Sequence, residues 1–339
     1  METILYIAHT EADGTLSKGS LEGLSAAQAL AQGLSASLAI GLVGADVQAA
    51  ADALAGCGAA KFYGVSGEAF AQSRYATDAA ACEALCRESG ASIVVGLADS
   101  RLSRALPGVA QRLDGRIDTH LTGLAVKDGK PVASRWYYRQ RMVADFSREA
   151  RPWVLTVEPG CFPAFTGSAG SATVQAVSPA LPEVRTQVVS IQSPAEDQQT
   201  IRPDAAVLFV TGAGWTKKQA DGATHVDVAA ELILGFLNGT KASLGSSKSL
   251  VDMGGEGESV LPFLTHLHQV GQTGSTPRHP KGLATCCHGE EPHVVGWRFI
   301  TERRAVNLDA GCGWARGKAD VLYVADAFAL MKKVNDLLG

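Results

Sequence analysis

The sequence predicts an α/β fold in two domains, the first built on a mainly parallel sheet. Three observations predict it. From residue 3 onward, apolar runs of strand length alternate with Ala/Leu-rich helical stretches. A tract rich in Ser, Ala, Thr, Pro and Gln interrupts that rhythm at residues 163–203. It restarts with "DAAVLFVTGAGWTKKQ", an apolar strand running into a glycine-rich turn. With 46% hydrophobic and 19% charged residues among 339, the chain can bury a large core, which excludes disorder and suits two domains. The expected divisions are 1–190 and 200–339.

Each element follows from a local pattern. "TILYIAH" is a buried strand, followed after a polar loop by the helix "SLEGLSAAQALAQGL". "SLAIGLVG" (strand), "DVQAAADALAGCG" (helix) and "KFYGV" (strand) repeat the unit, and a helix around Cys82 and Cys86 leads into "ASIVVGLAD". Strands that are apolar throughout mean a sheet covered on both faces. Cys82 and Cys86, four apart on one helix face, read as core packing. Near residue 115 the pattern changes: "THLTGLAV" and "PVASRWYYRQRMVADF" read as strands joined by the turn Lys127-Asp128-Gly129-Lys130. "PWVLTVEPGCFPAF" is a further strand, and "EVRTQVVSI" is strand-like within the linking tract. The second domain continues with the helix "HVDVAAELILGFLNG", the segments "ASLGSSKSLVDMGG", "GLATCCHGEEPHVVGW" and "RRAVNLDAG", and a closing strand and helix in "ADVLYVADAFALMKKVNDLL".

Composition also excludes functions. A formal net charge of −4 without a basic block argues against nucleic acid. No apolar run reaches membrane-spanning length, so membrane insertion is not expected, and "METILYIAHTEADG" is too polar for a secretory signal. Seven scattered cysteines without CxxC spacing suit reduced thiols in a cytoplasm. No metal is expected, since adjacent Cys286 and Cys287 cannot readily chelate one ion. No G-x-S-x-G elbow supports a hydrolase triad, and no GxGxxG turn follows the first strand. The run "HLHQVGQTGSTPRHP" sets Gln272 and Thr273 between Gly271 and Gly274: glycines admit a ligand close to the backbone, and Gln and Thr offer it donors and acceptors.

Read in order, the second-domain motifs resemble the alpha subunit of electron transfer flavoproteins. The residues that carry the resemblance are Thr211-Gly212-Ala213-Gly214-Trp215, then Ser247-Lys248 with Asp252, Val270-Gly271-Gln272-Thr273-Gly274, and Cys286-Cys287-His288-Gly289-Glu290-Glu291-Pro292-His293. Asn307 with Asp309, and Ala319-Asp320, complete the set. The resemblance implies a C-terminal Rossmann-like FAD-binding α/β domain and an electron carrier rather than an enzyme. It implies a beta subunit as partner, a flavin-dependent dehydrogenase as donor and a quinone-reducing or similar acceptor. Under it, Gln272 and Thr273 lie beside the isoalloxazine, Lys248 replaces an arginine over the ring, and His293 stands near the C2 carbonyl. Asn307, Asp309 and Asp320 surround the adenosine and ribityl end, and Gly212, Ser247, Gly271, Gly274, His288 and Gly289 complete the cofactor set. Reduction places negative charge near the flavin N1 and C2 carbonyl, so a cation there raises the potential.

The departures are as concrete as the matches. Gly214 stands where the family has arginine, His288 where it has serine, and Pro292 where it has glutamine. Glu290 and Glu291 enter a loop that is otherwise neutral, and carboxylates near a pyrophosphate repel it unless cations compensate. Lys217, Lys218, Arg278 and Lys281 are the candidates. These departures leave a second reading open: a flavin-free structural, regulatory or nucleotide-binding homologue.

Overall fold

A computed structural model describes residues 2–138, 142–191, 201–202, 204–252, 259–271, 274–275, 277–286, 300–312, 315–316 and 319–339. The chain forms two compact units, Met1–Ile191 and Gln192–Gly339.

Unit 1 is built on β1 (Thr3–His9), β2 (Ser37–Gly44), β3 (Lys61–Ser66), β4 (Ile93–Leu97), β5 (Arg116–Lys127), β6 (Lys130–Tyr137), β7 (Met142–Phe146), β8 (Trp153–Val157) and β9 (Val174–Ala176). They form one sheet ordered β7-β6-β5-β8-β4-β1-β2-β3-β9, antiparallel at β5–β6–β7 and parallel elsewhere. β4 and β8 are buried along their whole length, as a sheet covered on both faces requires. One core contains Tyr6, Leu24, Ile40 and Trp153, drawing on α1 (Lys18–Leu34) and α2 (Gln48–Ala53). The other contains Leu5, Ile7, Leu85 and Leu106, drawing on α3 (Tyr75–Ser89) and α4 (Ser100–Arg112). Side chains fix the helix starts: Ser17 accepts from the Ser20 amide at 3.1 Å, and Asp99 from that of Leu102 at 2.7 Å. The β5–β6 turn has both central residues left-handed, Asp128 at φ 51° and Gly129 at φ 70°, which suits the twist of a hairpin.

Unit 2 has five described parallel strands: β10 (Val207–Thr211), β11 (Ser243–Ser246), β12 (Lys281–Thr285), β13 (Glu302–Asn307) and β14 (Val321–Val324), in the order β11-β10-β12-β13-β14. α5 (Val226–Thr240) and α7 (Ala327–Leu338) contribute to one core, with Phe209, Ile233, Phe236 and Met331. The short α6 (Lys248–Asp252) follows β11.

One expectation is corrected. "EVRTQVVSI" forms no strand, because none of its backbone groups finds a backbone partner among the described residues. The glycine turn after β10 closes as a 3₁₀ turn, Ala213–Trp215, and α5 starts at Val226, within the expected helix "HVDVAAELILGFLNG".

Candidate functional site

Parallel strands align their C-terminal ends, so Thr211, Ser246, Thr285, Asn307 and Val324 finish at one edge of unit 2. In chain order the strands run second, first, third, fourth, fifth across the sheet. The connections therefore diverge between β10 and β12, where doubly wound sheets of this order bind ligands beyond the strand ends.

Gly212 lies at that point, but the turn is closed. The Gly212 amide donates to the Thr285 carbonyl at 2.8 Å, and the Gly214 amide to that of Cys286 at 3.1 Å. Trp215 is fully buried beneath it, its indole N–H donating to Thr285 Oγ1 at 2.9 Å and its ring centroid 4.7 Å from that of Phe328. The Gly212 and Gly214 amides are thus not open to a phosphate.

Beside it, at the end of β11, Ser247 is buried, its amide donates to the Thr211 carbonyl at 2.8 Å, and its Oγ accepts from the Leu250 amide at 3.1 Å. Lys248 begins α6, half-exposed, with Nζ 3.7 Å from Asp252. Asp252 also meets His266 Nε2 at 2.9 Å, so a lysine and a histidine side chain converge on one carboxylate. The Gly271–Gly274 loop hooks onto the same strand end: the Val270 amide donates to the Ser246 carbonyl at 2.9 Å, and that of Gly271 to Ser275 at 2.9 Å. Gly271 has φ 134°, a conformation suited to glycine. A methyl on Gly274 would collide with the Gln269 carbonyl oxygen and lie 2.7 Å from its carbon. The loop closes so tightly on Gln269 that position 274 has no room for a side chain. Gln272, Thr273, His288, Gly289 and His293 lie outside the described residues.

Asn307 ends β13, buried, with Oδ1 accepting from the Asp309 amide at 2.9 Å; Asp309 Oδ1 accepts from the Gly311 amide at 2.7 Å. Gly212, Ser247, Lys248, Gly271, Asn307 and Asp309 thus belong to one edge of the sheet. Asp320 does not. It precedes β14 and pairs with Arg303 at the start of β13, with Nη2–Oδ1 2.9 Å, so it belongs to the opposite edge. Hydrogen bonds from Arg303 hold its carboxyl below the usual range. Lys281 opens β12 at that far edge as well. Lys217 and Lys218 follow the closed turn and are exposed.

The acidic residue that follows β14 on the candidate side is Asp326, which caps α7 by accepting from the Ala329 amide at 2.8 Å. Its signal was present, because the dipeptide Ala-Asp recurs at Ala325-Asp326. Burial pushes the neighbouring Cys286 thiol up to about 12, and the Asp326 charge adds to that, so Cys286 is held as a thiol rather than a thiolate. Ser247, Lys248, Gly271 and Gly274 lie together at the end of β11, and the Gly212 and Gly214 amides of the neighbouring turn are engaged.

Comparison with known proteins adds three findings. A family model described as the electron transfer flavoprotein domain matches residues 4–182. Over 343 residues, spanning 98% of this chain and 93% of the relative, the sequence is 26% identical to "Protein FixB" of Clostridium saccharobutylicum. It is 25% identical over 346 residues to "Electron transfer flavoprotein subunit alpha" of Clostridium acetobutylicum, spanning 98% of this chain and 94% of the relative.

Proposed function

We propose a function from one premise: the chain belongs to the electron transfer flavoprotein domain family. It acts as the alpha-type subunit of a heterodimeric, cytoplasmic electron carrier, with one FAD held by unit 2 and unit 1 facing a beta-type subunit. Its donor is a flavin-dependent dehydrogenase and its acceptor a quinone-reducing or similar protein. The observation that carries this reading is the Gly271–Gly274 loop, hooked onto the end of β11 beside Ser247 and Lys248.

When bound, the flavin supplies reversible acceptance and release of electrons. The chain's residues do the rest. Lys248 brings a positive charge to the strand ends, and Asp252, shared with His266, orients it. The buried Ser247 fixes the start of α6, and thus where Lys248 stands. Gly271 and Gly274 leave room for close approach to the backbone.

A second reading, a flavin-free homologue, is favoured by the engaged Gly212 and Gly214 amides and the buried Trp215. One experiment separates them. The chain is purified with its beta-type subunit, and its visible spectrum and FAD content are measured. A flavin spectrum with about one FAD per chain bound by unit 2 supports the carrier, and a colourless complex that takes up no added FAD overturns it.

A further inference from the structure

His9 ends β1 and Asp99 follows β4, both at the C-terminal edge of the unit 1 sheet. From β1 the chain proceeds to β2 and β3 on one side, whereas β4 and β8 lie on the other, so the connections diverge between β1 and β4. A doubly wound sheet opens a ligand crevice at such a point, beyond the strand ends. The function proposed above leaves this crevice of unit 1 unused.

Its two central side chains are fixed from behind. His9 Nε2 lies 3.2 Å from Asp99 Oδ2, and Asp99 Oδ1 accepts from the Leu102 amide at 2.7 Å, so the carboxylate cannot turn away from the ring. The first turn of α4 is held in turn by the buried Arg101, which donates to Asp78 at 2.7 Å and to the Phe70 carbonyl at 2.6 Å. The cap of α4 is complete without a histidine, since Asp99 Oδ1 alone supplies it. What the pair adds is an oriented imidazole. Its Nδ1 has no hydrogen-bond partner among the described residues, and the side chain stays 17% exposed. Burial works to lower the His9 pKa and Arg101 adds to that, but the hydrogen bond and charge of Asp99, with Glu11, outweigh them and raise it. From the other face of the sheet α1 begins over the end of β4, where a methyl on Gly19 would lie 2.8 Å from Leu97 Cδ2. That places Lys18, mostly exposed and 3.8 Å from Glu22, at the same edge.

We propose that this crevice binds a small oxyanion, the phosphoryl or carboxylate group of a metabolite, with His9 Nδ1–H as its principal donor. Asp99 keeps the proton on Nε2, so the ring takes up its second proton at Nδ1 and presents it to the anion. Binding is therefore linked to proton uptake, and the bound anion raises the midpoint of His9 titration. Lys18 supplies a second positive charge at the rim. The inference does not depend on flavin binding by unit 2.

The test uses the full chain carrying isotope-labelled histidine, in which the His9 resonances are those lost in His9→Gln. Inorganic phosphate and acetate are titrated in separately between about pH 6 and 8 at constant ionic strength. A saturable shift confined to His9 is expected, with its titration midpoint raised by about half a pH unit or more in saturating anion. A response to phosphate alone assigns the phosphoryl group, and one to acetate alone the carboxylate. Asp99→Asn keeps the oxygen that caps α4 but removes the charge behind the ring, and should weaken binding about tenfold. Thermal unfolding separates a binding role from a structural one: the effective anion should raise Tm in the native chain and not in His9→Gln. No saturable shift up to about 50 mM of either anion overturns the inference. So do equal shifts across all the histidines, or equal stabilisation of His9→Gln.

Discussion

Gly274→Ala tests the candidate loop with the smallest perturbation available. The added methyl would lie 2.7 Å from the Gln269 carbonyl carbon and 2.9 Å from its Cγ, with the carbonyl oxygen nearer still, whereas real Cβ atoms essentially never approach within 3.0 Å. The neighbour is backbone, so it cannot rotate aside. The loop is fixed at Val270 to Ser246 and at Ser275 to Gln269, so relief must come between those anchors, as a displacement of roughly half an ångström or more. Strain from such overpacking is about 1–3 kcal/mol. In the free protein the loop relaxes outward and loses little stability. A bound flavin would need the loop returned to its place, so the strain appears in affinity: the Kd for FAD rises about tenfold or more, since about 1.4 kcal/mol is a factor of ten. The assay is fluorescence titration of the deflavinated complex with FAD, with thermal unfolding as the control. An unchanged Kd at an unchanged Tm would remove Gly274 from the site, and a collapsed Tm would show that the glycine serves the fold instead.

Three further outcomes follow from single contacts. Asp78→Ala strands the buried Arg101 guanidinium, which Asp78 holds at 2.7 Å, and should destabilise unit 1 by about 3–5 kcal/mol, lowering Tm by roughly 6–20 °C without changing FAD affinity; calorimetry checks this. Burial works to raise the Asp118 carboxyl, but hydrogen bonds from Arg148 and the Trp153 indole outweigh it and hold the pKa low. Its stabilisation is therefore present above the unfolded value of about 4 and is lost as pH falls through the depressed folded value, so Asp118→Asn should flatten the acid limb of the stability profile, measured by denaturant titration from pH 6 to 2. Lys248→Met should lower the flavin potential by tens of millivolts, an order of magnitude set by a half-exposed cation, and Lys248→Arg should restore it in a redox titration.

Much of the fold was legible because burial on both faces writes itself as unbroken apolar runs. "TILYIAH", "SLAIGLVG" and "WVLTV" are strands in the structure, and Asp128-Gly129 marks a turn because left-handed backbone needs such residues. Strand order was not legible, since β11 and β12 flank β10 through connections that no local pattern encodes. Asp320 and Asp326 show the limit at the site. Both follow an alanine and both lie six residues apart in one segment, but a four-residue strand separates them, and only its direction puts Asp326 at the candidate edge. The strand pattern of 183–191 misled for a different reason: alternation specifies that a segment can pair, not that it does.

The glycine at position 214, where the resemblance would set an arginine, has its physical counterpart in the packing around it. Here Gly214 brings its amide to Cys286, Gly212 does the same to Thr285, and the two strand ends are stitched directly together. Trp215 then fills the space below, satisfied by Thr285 Oγ1 and packed at a tilt against Phe328 of α7, so the core of unit 2 reaches to the floor of the candidate site. A turn closed in this way contributes rigidity and no charge. On the proposed reading, the cations for a dinucleotide must come from the rim: Lys248 at the end of β11, and the exposed Lys217 and Lys218 beyond the turn. Charge on exposed lysines is screened by salt far more than charge on a buried guanidinium. FAD affinity in this chain should therefore fall steeply between about 0.05 and 0.5 M salt, and an affinity independent of salt would mean that the phosphates are held by backbone rather than by these lysines.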